Sequence, residues 1–92
     1  MIIGTLRLRL AIRQARSLKD KRQVVSSIKD KLRNHFNVSV AEIEAQDHRQ
    51  IAVLGLAMVS NESEHVRKAL SQVVEAVRSH PVAELIDYEL DA

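Results

Sequence analysis

The residues of this 92-residue chain best suited to chemistry are the cations at the predicted start of a helix. They lie in the run Ser17-Leu18-Lys19-Asp20-Lys21-Arg22. A helix N-terminus is already partly positive and favours acidic neighbours, so cations there cost stability unless an anion is nearby. Its free N–H groups also bind phosphate. The run therefore predicts an anion-binding surface, with the phosphate of a nucleic acid or a nucleotide as the leading candidate.

The predicted site extends beyond the helix to the residues that precede it. It consists of seven cations: Arg7 and Arg9 in the preceding strand, Arg13 and Arg16 in the connecting loop, and Lys19, Lys21 and Arg22 in the helix. Several cations within reach of one phosphate backbone bind it through charge. With only Gly4 and Gly55, the chain has no glycine-rich phosphate loop. The alternative is a solvated loop whose charges only keep a small protein soluble.

Other residue types with possible chemistry form no recognisable constellation. The histidines have no metal-ligand spacing, so we expect surface residues and no metal site at His35, His48, His65 and His80. No serine lies in a nucleophile elbow. An exposed edge strand explains the nearby carboxylates Glu42 and Glu44. We expect a protein that is not an enzyme and has no cofactor.

Charge is distributed unevenly along the chain, although the net charge is only +2. Residues 1–36 carry ten cations and two aspartates, a net charge of +8, whereas residues 37–92 carry four cations and ten acids, a net charge of −6. This asymmetry predicts a basic face and an acidic face. The alternative is two ordinary solvated surfaces, which attract each other in a head-to-tail oligomer.

Composition and length predict one small cytoplasmic domain, residues 1–92. The chain has no cysteine, which fits a reducing compartment, and we expect no signal peptide. The longest apolar run, residues 51–59, is well short of the roughly 18 residues that cross a bilayer, so no membrane partner is expected.

Hydrophobic periodicity predicts six elements. Apolar residues alternate in residues 2–12, and Ser17 with Asp20 forms a variant capping box before a helix that ends near Asn37. A parity change in the strand at 38–45 predicts a β-bulge or an edge strand that leaves the core. A hairpin leads to a strand at 51–59 that we expect to be central and covered on both faces. The last elements are a helix that a capping box of Asn61 and Glu64 opens and Pro81 closes, and a strand at 82–90.

The element order β-α-β-β-α-β predicts an α+β, ferredoxin-like two-layer sandwich. Right-handed crossovers place both helices on one face of a four-stranded antiparallel sheet. The open face should then receive Thr5, Arg7 and Arg9, and a partner would cover it. Because the central strands contain no aromatic residue, we expect any RNA to be bound through its backbone and shape rather than by base stacking.

Four segments resemble the YlxP-like family of small bacterial proteins of unknown function. They are the run 16–22, the segment 32–42 (LRNHFNVSVAE), Val59-Ser60-Asn61 and the closing segment 85–89 (LIDYE), and the resemblance covers essentially the whole chain. It implies a ferredoxin-like fold and, through gene neighbours that act in translation and ribosome maturation, a role near RNA or the ribosome. The chain departs from the family at His48-Arg49, where relatives usually carry bulky apolar or aromatic residues. A hydrophobic contact of that hairpin is therefore in doubt.

Two hypotheses from different classes follow. In the first, the protein is a small non-catalytic module whose basic β1–α1 surface contacts RNA or a ribosomal particle. In the second, it is a scaffold domain that forms a homodimer through the open sheet face or through charge-complementary surfaces, with no nucleic-acid role.

Overall fold

The computed structural model describes all residues, 1–92, in the predicted element order. The elements are β1 (Ile2–Ala11), α1 (Leu18–His35), β2 (Ser39–Glu44), β3 (Ile51–Ser60), α2 (Ser63–Arg78) and β4 (Glu84–Asp91). Neither helix combines the length and the apolar character that crossing a membrane requires.

The four strands form one antiparallel sheet in the order β2-β3-β1-β4. The central pair, β1 with β3, runs without interruption from Ile2 opposite Ser60 to Ala11 opposite Ile51. The predicted irregularity in β2 is confirmed, because β2 is an edge strand whose register against β3 shifts between Glu42 and Glu44. The fold is therefore the predicted ferredoxin-like α+β sandwich.

The core lies between the sheet and the two helices and is entirely aliphatic. From β1 it receives the even-numbered leucines, of which Leu8 and Leu10 are completely buried. Each such side chain contributes about 1.5–3 kcal/mol through burial. Gly4 has a specific role, because a Cβ at this position would collide with Cγ1 of Val66 in α2. A glycine in β1 thus permits the close approach of α2.

Side chains on the other face of the sheet have no helix above them. Thr5, Arg7 and Arg9 lie there, as the alternation in β1 predicts. The expectation that β3 is central is confirmed, whereas its coverage on both faces is not complete: on the open face Val53 is buried but Ala57 and Val59 are exposed, since both helices pack on the opposite face.

The starts of the two helices differ. At α1, the predicted cap at Ser17 is confirmed: its Oγ accepts a hydrogen bond from the backbone N–H of Asp20, and the Asp20 carboxylate accepts one from the N–H of Arg16. At α2, the predicted capping box of Asn61 and Glu64 is wrong. The N-cap residue is Glu62, which makes no side-chain cap bond.

Candidate functional site

Lys21, one of the predicted phosphate contacts, is completely buried. Its Nζ donates hydrogen bonds to three backbone carbonyl oxygens, those of Ala45 at 2.8 Å, Gln46 at 3.2 Å and Ile51 at 3.1 Å. Oε2 of Glu42 lies 2.9 Å from the same nitrogen. Buried and paired in this way, Lys21 contacts no phosphate, and its place in the predicted site was wrong.

The contact between Lys21 and Glu42 is an ion pair. The ammonium group has three protons, and four oxygen atoms lie within 3.2 Å of its nitrogen, the three carbonyl oxygens and Oε2 of Glu42. Oε2 of Glu42 faces the positive charge but makes no hydrogen bond of good geometry. The pair therefore depends on charge neutralisation, and loss of either partner leaves the other charge buried or nearly so.

The hairpin between β2 and β3, residues 45–50, is the segment that Lys21 holds. It begins at Ala45, whose φ of 60° lies in the left-handed region. It is braced internally by His48, whose Nδ1 accepts hydrogen bonds from the backbone N–H groups of Gln50 and Ile51 at 3.1 and 3.0 Å. In place of the apolar residues expected from the family resemblance, this hairpin thus has a polar brace.

Gln50 connects the hairpin to the loop between β1 and α1. Its Nε2 donates to the carbonyl oxygens of Arg13 and Ala15, both at 3.2 Å. The backbone carbonyl oxygen of Gln50 accepts a hydrogen bond from the backbone N–H of Ile12 at 2.6 Å. Two segments far apart in sequence are therefore fixed side by side at one end of the sheet.

A shallow cleft of about 420 Å³ lies where these two segments meet. Three arginines line it, and we call it the arginine cleft: Arg13 and Arg16 from the β1–α1 loop, and Arg49 from the hairpin. Arg49 was not among the predicted site residues. No local pattern marks it, because only the pairing of β1 with β3 brings it beside Arg13 and Arg16.

Besides Lys21, three of the predicted site residues already have acidic partners. Arg7 pairs with Glu44 at 2.8 Å and Arg13 with Glu84 at 2.7 Å, and in each case the hydrogen bond to the glutamate raises the pKa of the arginine above its usual value. The third pair, Arg9 with Asp87, is looser at 3.9 Å. Arg7 and Arg9 also lie on the open sheet face rather than in the arginine cleft.

The remaining predicted cations have no ion-pair partner. Seven of the fourteen lysines and arginines make no ion pair, and four of these seven lie in the β1–α1 loop, in the first turns of α1 and in the hairpin: Arg16, Lys19, Arg22 and Arg49. These four, together with Arg13, are called the basic end below. Of the nearby acids, Asp20 is bonded to the backbone of Arg16, whereas Asp47 in the hairpin is exposed and makes no ion pair.

A second, smaller cleft of about 200 Å³ lies between the C-terminal parts of the two helices. Its apolar floor is flanked by Lys31, His35 and His80. Burial, and to a smaller extent the charge of Lys31, lowers the pKa of His80. Its Nδ1 accepts hydrogen bonds from the N–H groups of Val82 and Ala83, which fixes the chain after α2. No three histidine or acidic side chains lie close enough together to hold a metal ion.

The fold and the arginine cleft define a small ferredoxin-like domain with a cationic cleft between the β1–α1 loop and the β2–β3 hairpin. Residues 3–90 match the family described as "Protein of unknown function (DUF503)", and the chain belongs to that family. It is similar to the protein named "Uncharacterized protein YlxP" of Bacillus subtilis (strain 168), with 37% identity over 83 residues and 90% of each chain covered. The resemblance to the YlxP-like family is therefore confirmed.

Proposed function

We propose that the protein is a non-catalytic module that binds RNA, free or within a ribosomal particle, through phosphate contacts at the basic end. The observation that carries this proposal is the clustering of unpaired cations. Four of the seven cations without an acidic partner lie there, whereas Lys29, Lys31 and Lys68 are spread over the two helices.

Free cations matter because a carboxylate partner neutralises part of the charge of an arginine and occupies some of its N–H donors, which weakens its attraction for phosphate. Arg7 and Arg9, which the sequence placed in the site, have such partners in Glu44 and Asp87. Arg16 and Arg49 make no ion pair. Each phosphate contact releases a condensed counterion from RNA, so this surface gives a binding constant that falls steeply as salt rises.

Base recognition is not part of the proposal. The chain has two aromatic side chains, and neither lies on β1 or β3. Tyr88 is in the edge strand β4, where the Arg78 guanidinium lies 5.8 Å from its ring centre, and Phe36 is half-buried at the end of α1. RNA is therefore bound through its phosphates with little preference for sequence.

A salt titration with two RNAs tests the proposal. The probes are short stem-loops of unrelated sequence, and binding is measured by fluorescence anisotropy from low to high salt. We expect similar affinities and equal, steep slopes of log K against log salt for both RNAs. No binding at low salt, or affinity that is insensitive to salt, would contradict the proposal.

Self-association through the open sheet face is a second candidate function, favoured by a specific patch of exposed apolar side chains. Ile3 and Val59 are cross-strand neighbours in the central strands and are 58% and 49% exposed. Ile43 is a separate exposed side chain on the edge strand β2, beside Gly55 and four residues along β3 from Val59. Such a patch is typical of a surface that a partner covers.

Sedimentation at two ionic strengths tests this second candidate. A dimer that is insensitive to salt and is lost in the Val59→Asp variant supports apolar burial on the sheet. A monomer at all concentrations rejects it and leaves RNA binding unaffected.

A further inference from the structure

We propose that Lys21 is a positioning residue for the arginine cleft: its buried ammonium group holds the β2–β3 hairpin in the place that sets Arg49 beside Arg13 and Arg16. This inference rests on the proposed function, because it assigns a role in the same surface. Lys21 then affects phosphate binding only through the position of Arg49, and not by contacting phosphate itself.

The geometry supports a holding role because of where the bonded carbonyl groups lie. Ala45 and Gln46 are at the start of the hairpin, and Ile51 is directly after it. One ammonium group therefore bonds both arms of the hairpin across 24 to 30 residues of chain. Arg49 lies between the two bonded arms, so its position depends on them.

The location of Lys21 in α1 makes the connection stiff. Lys21 lies at the end of the first turn of α1, which Ser17 caps, and on the buried side of the helix with Val25 and Ile28. A helix anchored by packing does not follow the hairpin if the hairpin moves. The hydrogen bonds of Lys21 thus attach the β2–β3 hairpin to the rigid core, although the hairpin buries few apolar side chains of its own.

Gln50 completes the arrangement on the opposite side. It bonds the hairpin to the carbonyl groups of Arg13 and Ala15, whereas Lys21 bonds the hairpin to α1. With the Lys21 bonds removed, the hairpin keeps its internal His48 brace and the Gln50 bonds to the β1–α1 loop, but it loses its attachment to α1. We expect this weaker attachment to leave Arg49 mobile, so that it contributes little to anion binding.

The test compares the effect of Arg49→Ala in two backgrounds. One is the natural chain and the other is the double variant Lys21→Met, Glu42→Met, which removes both charges together and so avoids a lone buried charge. Affinity for an RNA stem-loop is measured at a series of salt concentrations, well below the melting temperature of each variant. We expect Arg49→Ala to lower affinity several-fold and the salt slope by about 1 in the natural chain, and to change neither in the double variant. An equal effect in both backgrounds overturns the inference and leaves the proposed function intact.

Hydrogen exchange provides a second test that needs no RNA. In the double variant, we expect the amides of Gln50 and Ile51 to exchange at least tenfold faster than in the natural chain, while the amide of Leu54 in the centre of β3 is little changed. Val73→Ala is the control, since it destabilises the core without touching the hairpin and accelerates exchange at all three amides together. Unchanged exchange at Gln50 and Ile51 in the double variant overturns the inference even if RNA does not bind.

Discussion

Nε of Arg13 lies 2.7 Å from Oε2 of Glu84, so one of the three guanidinium groups lining the arginine cleft is paired with the first residue of β4. Both side chains are more than half exposed. A phosphate in the cleft therefore competes with a carboxylate for Arg13. Glu84, from the acidic second half of the chain, thus weakens phosphate binding by Arg13 through a direct contact, in addition to its effect on net charge.

Removal of the Glu84 charge should strengthen RNA binding. In Glu84→Gln, Arg13 becomes free to contact phosphate, and we expect higher affinity together with a salt slope that is steeper by up to about 1. Glu75→Gln is the matched control, because it changes net charge equally and breaks another Arg–Glu pair, that with Arg78 on α2. Equal gains in the two variants would show that only net charge matters.

The buried pair of Lys21 and Glu42 should make the two single variants less stable than the double variant. Lys21→Met leaves a largely buried carboxylate without its cation, at a cost of about 3–5 kcal/mol in the free energy of unfolding. The double variant Lys21→Met, Glu42→Met leaves no such charge and should recover the part of this loss that the lone carboxylate causes, although it still lacks the Lys21 hydrogen bonds to the hairpin. Urea denaturation of the three variants measures both effects, and a double variant no more stable than Lys21→Met would contradict the account of the pair.

Gly4 should tolerate no side chain. In Gly4→Ala, the new Cβ collides with Cγ1 of Val66 and forces α2 away from β1, at a cost of about 1–3 kcal/mol in the free energy of unfolding. Gly55→Ala is the control, since its Cβ meets only the half-exposed side chain of Ile43. Thermal unfolding of both variants checks this, and a larger loss in Gly55→Ala would be the contrary result.

Stability should decline in mild acid because of His80. Its pKa is lower in the folded chain than the usual value of about 6.5, mainly because of burial, so the folded state binds fewer protons than the unfolded state. The contribution of neutral His80 to the free energy of unfolding is fully present above pH ~6.5 and is lost as pH falls through its lowered pKa.

The variant His80→Asn isolates this effect. An asparagine oxygen can accept the hydrogen bonds that Val82 and Ala83 donate to Nδ1, but it does not titrate. We expect the free energy of unfolding to fall less in acid for His80→Asn than for the natural chain. In the control His65→Gln, which changes an exposed residue of α2, the decline should persist. Urea denaturation at a series of pH values measures it, and an unchanged pH profile in His80→Asn would assign the loss to other groups.

Most of the fold follows from local pattern. The alternation in β1 identifies the buried leucines, and the Ser17 cap marks the start of α1, because both signals are short-range. The errors arose where tertiary context decides. β3 is apolar on both faces, but no helix covers the face on which Ala57 and Val59 are exposed. Asn61 has the right residue type for a cap, but the N-cap residue of α2 is Glu62.

The site was predictable only in part. Lys21 follows Leu18 by three residues and precedes Val25 by four, so a cation in an apolar stripe was the available signal for a buried charge. Its partners could not be inferred, because three of them are backbone carbonyl groups that carry no residue signature. Arg49 is separated from Arg16 by the whole of α1 and β2, and only the sheet register brings them together.

Two triple variants with equal loss of charge test the central claim most directly. One removes three unpaired cations of the basic end, Arg16→Gln, Arg22→Gln and Arg49→Gln, and the other removes the three unpaired cations outside it, Lys29→Gln, Lys31→Gln and Lys68→Gln. Binding of an RNA stem-loop is measured against salt for both and for the natural chain. We predict that the first variant loses about 2 to 3 from the salt slope and most of its affinity at low salt, while the second stays close to the natural chain. Equal losses in the two variants would contradict the assignment of RNA binding to the basic end.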